Sequence, residues 1–248
     1  MNDHSVVSPV SSVVISKEPQ RIERMFDAIA ERYDFLNHLL SAGIDSAWRR
    51  RAIGALELTG TERVLDLCTG TGDLALAATA AAPSAARVIG VDFAHEMLKV
   101  GRGKVQRAPR GAAIALVRGD AMRIPVADAS IDAATIAFGI RNVEQPDVAC
   151  RDLHRVLRPR GRVAILEFAV PTAPMVRSAY LAYFRHVLPR IGKIVSKHNA
   201  AYAYLPASVN AFASPDEFVK ILRHAGFVDI AAVPLTFGIV FLYTARKP

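Results

Sequence analysis

Apolar residues along this chain follow two different spacings. Apolar runs of about four to eight residues predict buried strands, and apolar positions three or four apart predict amphipathic helices between them. The predicted strands cover residues 64–67, 87–91, 114–118, 131–138, 162–168, 227–233 and 239–245. Helices between them are predicted at 74–82, 95–106 and 148–157. Because strands and helices alternate, we expect a mostly parallel sheet with helices on both faces.

Two helical regions lie outside this alternation. Apolar residues at helical spacing predict a helical cap over 18–60 and a helical insertion over 175–208. Residues 1–17 are rich in Ser and Val and are expected to form a mobile tail. No repeat or long linker divides the rest, so residues 18–248 are expected to form a single domain.

Turn residues complete the predicted topology. The Pro and Gly within residues 158–161 predict a turn into the fifth strand. The last two strands are separated by residues 234–238 and suit an antiparallel pair. The expected fold is therefore α/β and Rossmann-like, with a seven-stranded sheet that is parallel except for one strand.

Composition narrows the class of protein. With 248 residues, 52% hydrophobic and 22% charged, the chain can bury a full globular core. The two cysteines, Cys68 and Cys150, make a disulfide framework improbable, and no Cys/His spacing matches a metal site. No apolar run reaches the ~20 residues that span a bilayer, and the N-terminus does not resemble a signal peptide. We therefore expect a cytoplasmic protein without a metal.

The net charge of +8 allows several kinds of partner. Nucleic acid is not expected, because the arginines are dispersed and no nucleic-acid-binding motif accompanies them. An anionic membrane surface and simple solubility both remain compatible with the charge. A homodimer is expected only because dimers are common among soluble proteins.

The loop after the first strand carries the strongest chemical signal. Asp66 ends the strand, and Gly70 and Gly72 allow a ligand to approach the backbone closely before a helix begins. This pattern predicts an adenosine-bearing cofactor, although the same glycine spacing also occurs in dinucleotide-binding domains. Asp66 favours a ligand with an ammonium group over a pyrophosphate. The helical cap before this strand and the final antiparallel pair also argue against a dinucleotide domain.

Two further acids follow the next strands. Asp92 ends the second strand, where a carboxylate binds ribose hydroxyls, and Asp120 follows the third, where it suits an adenine amino group. The ordered set of acids and glycines resembles Rossmann-like S-adenosylmethionine-dependent methyltransferases. Cys68 departs from that pattern, because it stands where the first loop glycine often lies. A cysteine is tolerated there if its backbone angle is ordinary.

Four longer motifs resemble one family more closely. They are Tyr33-Asp34-Phe35-Leu36-Asn37, Leu65-Asp66-Leu67-Cys68-Thr69-Gly70-Thr71-Gly72-Asp73, Phe138-Gly139-Ile140-Arg141-Asn142-Val143 and His186-Val187-Leu188-Pro189-Arg190-Ile191-Gly192. In this order, from about residue 21 onward, the chain resembles the ubiquinone/menaquinone biosynthesis C-methyltransferase family. The resemblance implies methyl transfer from S-adenosylmethionine to a ring carbon of a prenylated quinol, with demethylmenaquinol favoured.

The resemblance also implies positions for the cofactor contacts. It places Thr71, Asp92, Asp120 and Ala121 against S-adenosylmethionine. Ala137 is expected beside the cofactor as well, but without the hydroxyl contact that a serine provides in some relatives.

The candidate catalytic residues lie in two of these motifs. Arg141 can stabilise a developing phenolate, although the alternative for this residue is an ion pair at a helix start. Asn142 and Tyr33 can orient the ring oxygens. His186 and His198 are candidate bases, with ordinary surface or core histidines as the favoured alternative.

Other functions stay open at this point. Residues 180–195 mix apolar and basic side chains, which suits a lid over an apolar tunnel, a contact with anionic lipid at the inner face of the cell membrane, or a core-facing helix. The alternatives for the reaction are methylation of another lipophilic small molecule or a nicotinamide-dependent oxidoreductase. A non-catalytic cofactor-binding scaffold is the third alternative.

Overall fold

A computed structural model describes residues 17–81, 86–187 and 199–248 of the chain. Its centre is one seven-stranded sheet. The strands are β1 (Arg63–Leu67), β2 (Arg87–Asp92), β3 (Ile114–Arg118), β4 (Ile131–Ala137), β5 (Leu157–Phe168), β6 (Val228–Leu235) and β7 (Val240–Arg246). Their order is β3-β2-β1-β4-β5-β7-β6, and β7 runs antiparallel to both of its neighbours while the other pairs are parallel. The predicted fold class is confirmed.

Helices flank the sheet and extend beyond it. They are α1 (Pro19–Asp27), α2 (Ala30–Leu40), α3 (Asp45–Gly54), α4 (Asp73–Ala81), α5 (His95–Arg107), α6 (Pro146–Val156), α7 (Pro174–Ala182), α8 (Asn199–Ala211) and α9 (Pro215–His224). Helices α1 to α3 lie within residues 18–60, α7 begins near the start of the predicted insertion, and α8 extends past its predicted end at residue 208. The predicted tail lies outside the described residues, except for Lys17. No helix within the described ranges is long and apolar enough to cross a membrane.

The core has two layers, one on each face of the sheet. Along β5, Val163 and Ile165 pack on one face with α6 and α9, while Ala164 and Leu166 pack on the other with α3 and α4. Successive side chains of a strand point to opposite faces, so a strand buried on both faces must be apolar at consecutive positions. This is why the strands are visible in the sequence as continuous apolar runs.

The largest difference from the predicted strand boundaries is at the start of β5, while other ends shift by one or two residues. Strand β5 begins at Leu157, although a turn was predicted over residues 158–161. Leu157 pairs with Ile131 of β4, and the regular register resumes where Arg162 pairs with Ala133. The intervening residues form a bulge within the assigned strand, because they outnumber the residues on β4 that face them.

Candidate active site

A cavity of about 210 Å³ opens at the carboxyl ends of the parallel strands and is called the polar cavity here because the acids Asp92, Asp120 and Glu144 reach its otherwise largely apolar wall. Its walls come from the loops after β1, β2, β3 and β4 and from the N-terminal segment with α1. The sequence-predicted cofactor residues among its walls are Gly70, Asp92, Asp120, Ala121 and Ala137. Strand order reverses between β1 and β4, and ligands of open α/β sheets bind at such a switch point. The cavity therefore lies where the topology predicts a ligand.

Asp92 joins two of these loops. Its Oδ2 accepts a hydrogen bond from the backbone N–H of Gly70 at 2.8 Å, and its Oδ1 accepts one from the N–H of Ala94 at 2.9 Å. Burial raises the pKa of Asp92 to about 6, although these N–H donors favour the charged form. A carboxylate fixed in this way can accept hydrogen bonds from the two hydroxyls of a ribose. Asp120 is exposed, and its carboxylate accepts a hydrogen bond from the N–H of Met122.

Three other predicted cofactor residues do not line the polar cavity. Asp66 is buried beneath the loop, where it accepts hydrogen bonds from the hydroxyls of Thr69 and Thr135. Burial raises its pKa to about 6. Thr71 is also buried and donates its hydroxyl to Asp34 of α2, and Gly72 follows it with a φ of +81°. Asp66 in β1 and Thr71 and Gly72 in the loop are therefore not among the residues that line the polar cavity, and their contacts with the cofactor stay predictions.

The loops after β1 and β4 touch at Cys68 and Gly139. A Cβ atom added to Gly139 would lie 2.3 Å from the Cβ of Cys68, so only glycine fits there without a shift. Cys68 has a φ of +57°, so the condition of an ordinary backbone angle, under which a cysteine is tolerated there, is not met. The left-handed region costs a non-glycine residue about 1–2 kcal/mol. Sequence reasoning missed Gly139, although it lies inside one of the four family motifs.

An apolar cavity of about 380 Å³ adjoins the polar one. Helices α1, α2 and α3 form one side, and α7, α8 and the short turn Thr236–Gly238 form the other. Phe26, Tyr33 and Phe138 line both cavities. These three side chains are defined here as the shared wall. Burial raises the pKa of Tyr33, although hydrogen bonding with Asn37 opposes this effect.

Arg141 and Asn142 lie on the short 3-10 turn Ile140–Asn142 after β4. Arg141 is buried, lines the apolar cavity and forms an ion pair with Glu167, with 2.8 Å between Nη1 and Oε1. Its guanidinium also lies 5.4 Å from the ring centre of Phe168. Asn142 lines the polar cavity, and its Oδ1 accepts a hydrogen bond from the hydroxyl of Tyr204 at 3.0 Å. The ion pair considered for Arg141 is therefore present, and the residue also reaches a cavity.

Glu167 was not singled out from the sequence. It ends the apolar run of β5 and is completely buried. A buried acid requires a partner, so a single Glu inside such a run was the available signal.

The two candidate histidine bases have different outcomes. His186 is exposed and lines neither of the two cavities, which does not support a role as the base. His198 lies outside the described residues. Of the predicted lid, Tyr180 and Tyr183 line the apolar cavity.

The polar cavity fits the adenosine part of S-adenosylmethionine. Asp92 presents a fixed carboxylate for the ribose, and Gly70 has a φ of +55° that brings its backbone to the cavity wall. Asp120 and Ala121, in the loop after β3, line the same cavity. Fold and site together define an S-adenosylmethionine-dependent methyltransferase.

Comparison with known proteins specifies the family. The model of the ubiE/COQ5 methyltransferase family matches residues 14–247. The chain is 44% identical to the ubiquinone/menaquinone biosynthesis C-methyltransferase UbiE of Geobacter sp. (strain M21), covering 94% of this chain and 99% of the relative. It is 40% identical to a demethylmenaquinone methyltransferase of Bacteroides fragilis, covering 93% and 94%. The chain therefore belongs to the ubiE/COQ5 methyltransferase family.

A solved structure supports the fold alone. A SAM dependent methyltransferase from Aquifex aeolicus superposes with a TM-score of 0.59 at 17% identity, covering 81% of this chain and 89% of that one. Family membership makes the chain an S-adenosylmethionine-dependent C-methyltransferase. It decides against the oxidoreductase and scaffold alternatives.

Proposed function

We propose that this chain methylates a ring carbon of a prenylated quinol and converts demethylmenaquinol to menaquinol. The observation that carries the proposal is the shared wall, which separates a polar cavity suited to the cofactor from an apolar cavity suited to a prenylated ring. The relative named demethylmenaquinone methyltransferase supports the choice of a naphthoquinol.

The residues divide between two tasks. Asp92, Gly70 and Asp120 would hold the cofactor, which supplies a methyl group already activated by its sulfonium charge. Arg141 and Tyr33 would hold the oxygens of the quinol ring at the apolar side. Since a sulfonium needs no further activation, orientation of the ring carbon is the main contribution of the protein, and positioning alone lowers a barrier by several kcal/mol.

Arg141 is suited to stabilise the ring oxygen as it loses its proton. A phenolate makes the neighbouring ring carbon electron-rich, and a guanidinium stabilises that negative charge in a site shielded from water. Arg141 cannot itself accept the proton, because an arginine stays protonated at any physiological pH. Asn142 would support the ring or cofactor from the polar side.

Transfer of a labelled methyl group tests the proposal. We expect purified protein with ¹³C-methyl S-adenosylmethionine and reduced demethylmenaquinol to yield menaquinol labelled on the ring carbon. A prenylated methoxybenzoquinol is expected to react more slowly. Label on an oxygen, or transfer only to a sterol or simple phenol, would replace the proposal with another methyltransferase activity.

We further propose that the mouth of the apolar cavity contacts the inner face of the cell membrane. Met175 and Phe237 are 86% and 82% exposed, although they neighbour the cavity-lining residues Val176 and Thr236. Arg177 and Arg185, in the same insertion as Met175, are also exposed. Apolar side chains flanked by bases favour binding to anionic lipid, where a prenylated quinol is dissolved.

Vesicle flotation tests this contact. We expect the double variant Met175→Ser/Phe237→Ser to bind vesicles that contain anionic lipid at least about five-fold less than wild type. Val228→Ser, an exposed apolar residue on β6, is the control. Equal binding of all three proteins would contradict the proposal. Light scattering on the purified wild-type protein without vesicles tests the homodimer, which stays a prediction.

A further inference from the structure

Arg141 and Asn142 form hydrogen bonds with side chains that have no role in the proposed function so far. Glu167 at the end of β5 holds Arg141 from one side. On the other side, two residues one turn apart on α8 make hydrogen bonds with the pair. Arg141 Nε donates to the hydroxyl of Ser208 at 3.4 Å, and the hydroxyl of Tyr204 donates to Asn142 Oδ1 at 3.0 Å. Two elements far apart in sequence therefore converge on the pair.

From this arrangement we infer that Glu167 is a positioning residue. It orients the guanidinium of Arg141 and, through its charge, raises the pKa of the quinol hydroxyl that binds there. The inference rests on the proposed function, because it needs a quinol beside Arg141. It concerns a residue that neither faces a cavity nor touches the reacting atoms.

The hydrogen bonds of Glu167 show why it acts through Arg141. Oε1 accepts from Arg141 Nη1 and from the backbone N–H of Phe168, both at 2.8 Å. Oε2 accepts from the backbone N–H of Arg141 at 3.2 Å. Both oxygens are thus occupied by N–H donors, and Glu167 is not among the residues that line either cavity. The carboxylate is placed to fix Arg141 and is not placed to take a proton from a substrate.

The same bonds determine which part of Arg141 faces a substrate. Nη1 donates to Glu167 and to the carbonyl of Phe138, and Nε donates to Ser208. Arginine has five N–H donors, and two of them are on Nη2. Within the described part of the chain, the hydrogen bonds of this guanidinium use Nε and Nη1, which leaves Nη2 to donate to a quinol oxygen in the apolar cavity.

The negative charge of Glu167 determines in which direction the pKa of the bound quinol hydroxyl shifts. A positive charge near a hydroxyl favours the phenolate, and a nearby negative charge disfavours it. Glu167 offsets part of the effect of Arg141, so the bound quinol loses its proton at a higher pH than it would beside Arg141 alone. At the separations involved, a charge in a partly shielded site shifts such an equilibrium by on the order of one pH unit.

Other titratable groups face the same cavity and must be distinguished from Glu167. Tyr33 of α2, Tyr180 of α7, Tyr183 of the following turn and Tyr204 of α8 all have pKa values raised by burial, so they are neutral between pH 6 and 9. Burial opposes ionisation of Asp45 on α3, yet Arg49 and hydrogen bonds from Ser41 and His38 hold its pKa below the usual range. Lys17, which precedes α1, lines the neighbouring polar cavity. Burial lowers its pKa, and it interacts electrostatically with Glu167 and Arg141.

Glu167→Gln is the decisive variant, because it keeps the shape and one acceptor oxygen while removing the charge. We expect the pH of half-maximal kcat to fall by about one unit, and kcat on the plateau to fall several-fold because a more stable phenolate is a weaker nucleophile. Affinity for S-adenosylhomocysteine should stay within about two-fold. Glu167→Asp should return the midpoint toward that of wild type.

A matched control exists at the opposite end of the sheet. Glu62 is also a buried acid with an arginine partner, Arg162, and accepts backbone N–H bonds from Thr59 and Gly60. Glu62→Gln should lower stability without moving the pH midpoint.

A second readout does not require turnover. A short-chain prenylated naphthol that cannot be methylated can be bound to each variant and titrated by its absorbance. Its midpoint should fall with Glu167→Gln by about the same one unit. If wild type fails to methylate demethylmenaquinol, the proposed function is wrong. If wild type is active but neither midpoint moves, or Glu62→Gln moves them equally, the inference about Glu167 is wrong.

Discussion

The two cavities are built in different ways. The polar cavity is formed by loops that each follow a strand directly, with the N-terminal segment and α1 closing one side, and hydrogen bonds such as those from Gly70 and Ala94 to Asp92 stabilise it. The apolar cavity is formed by helices far apart in the sequence. Its sides are joined by bonds such as Trp48 Nε1 to Thr236 at 2.9 Å and Tyr183 to the carbonyl of Leu40 at 3.1 Å.

This difference suggests how each cavity responds to change. A few charged and backbone groups define the polar cavity, so the loss of one should affect cofactor binding strongly. Many apolar side chains define the other cavity, so single changes there should alter substrate size preference more mildly. Only changes at the loops that touch both cavities should affect both ligands.

The largest expected effect comes from Asp92→Ala. We expect S-adenosylhomocysteine to bind about 100-fold more weakly, because hydrogen bonds to a charged group contribute about 1.5–3 kcal/mol each. A short-chain quinol analogue should bind within about two-fold of wild type. Calorimetry measures both, and thermal unfolding confirms that the variant is folded. If Asp92→Ala weakened the binding of both ligands equally, the two cavities would not bind their ligands independently.

Gly139→Ala tests the point where the loops touch. The φ of Gly139 is −108°, so strain arises only from the contact with Cys68. We expect kcat/KM to fall at least about ten-fold and unfolding free energy to fall by about 2 kcal/mol, as overpacking does elsewhere. Gly103→Ala is the control, since its added Cβ meets nothing within 4 Å. Similar losses in both variants would contradict the account.

Val176→Phe sharpens the description of the apolar cavity. The larger side chain on α7 should occupy space needed by a long prenyl tail, raising KM for long-tailed demethylmenaquinol by about ten-fold. A quinol with one prenyl unit should be affected much less, and cofactor affinity should not change. Val228→Phe is the control on a distant exposed strand. An equal rise in KM for both tail lengths would place the tail elsewhere.

The smallest effect on ligand binding is expected from Asp66, whose ionisation makes the free energy of unfolding depend on pH. Burial raises the pKa of Asp66 to about 6, above its unfolded value of 3.8, so its protonated form stabilises the fold. That stabilisation is complete below pH 3.8 and is lost as pH rises through about 6. Asp66→Asn should therefore reduce the loss between pH 4 and 7.5 by roughly 2 kcal/mol. Urea unfolding measures this effect.

Asp128→Asn is the control for that series, because the Asp128 side chain is 76% exposed. Its pH dependence should match that of wild type. A loss of stability with rising pH that is the same in Asp66→Asn and wild type would show that the buried acid does not carry the effect.

The fold was largely predictable because strands buried on both faces leave continuous apolar runs. The start of β5 was misplaced, because a bulge at residues 158–161 looks like a turn when β4 is not known. Gly70 and Asp92 were predictable because their places depend on local strand ends. The orientation of the Asp66 side chain depends on Thr135 of another strand. The ion-pair partner of Arg141, Glu167, lies on β5. Both features depend on residues far apart in the sequence, so local sequence could not predict them.

A structure of the protein with S-adenosylhomocysteine and a reduced short-chain demethylmenaquinol tests the central claim most directly. The account predicts that the ribose lies against Asp92 and the quinol ring against Tyr33 and Arg141, with the tail in the apolar cavity. A nucleoside in the apolar cavity, or a quinol bound away from the shared wall, would contradict it.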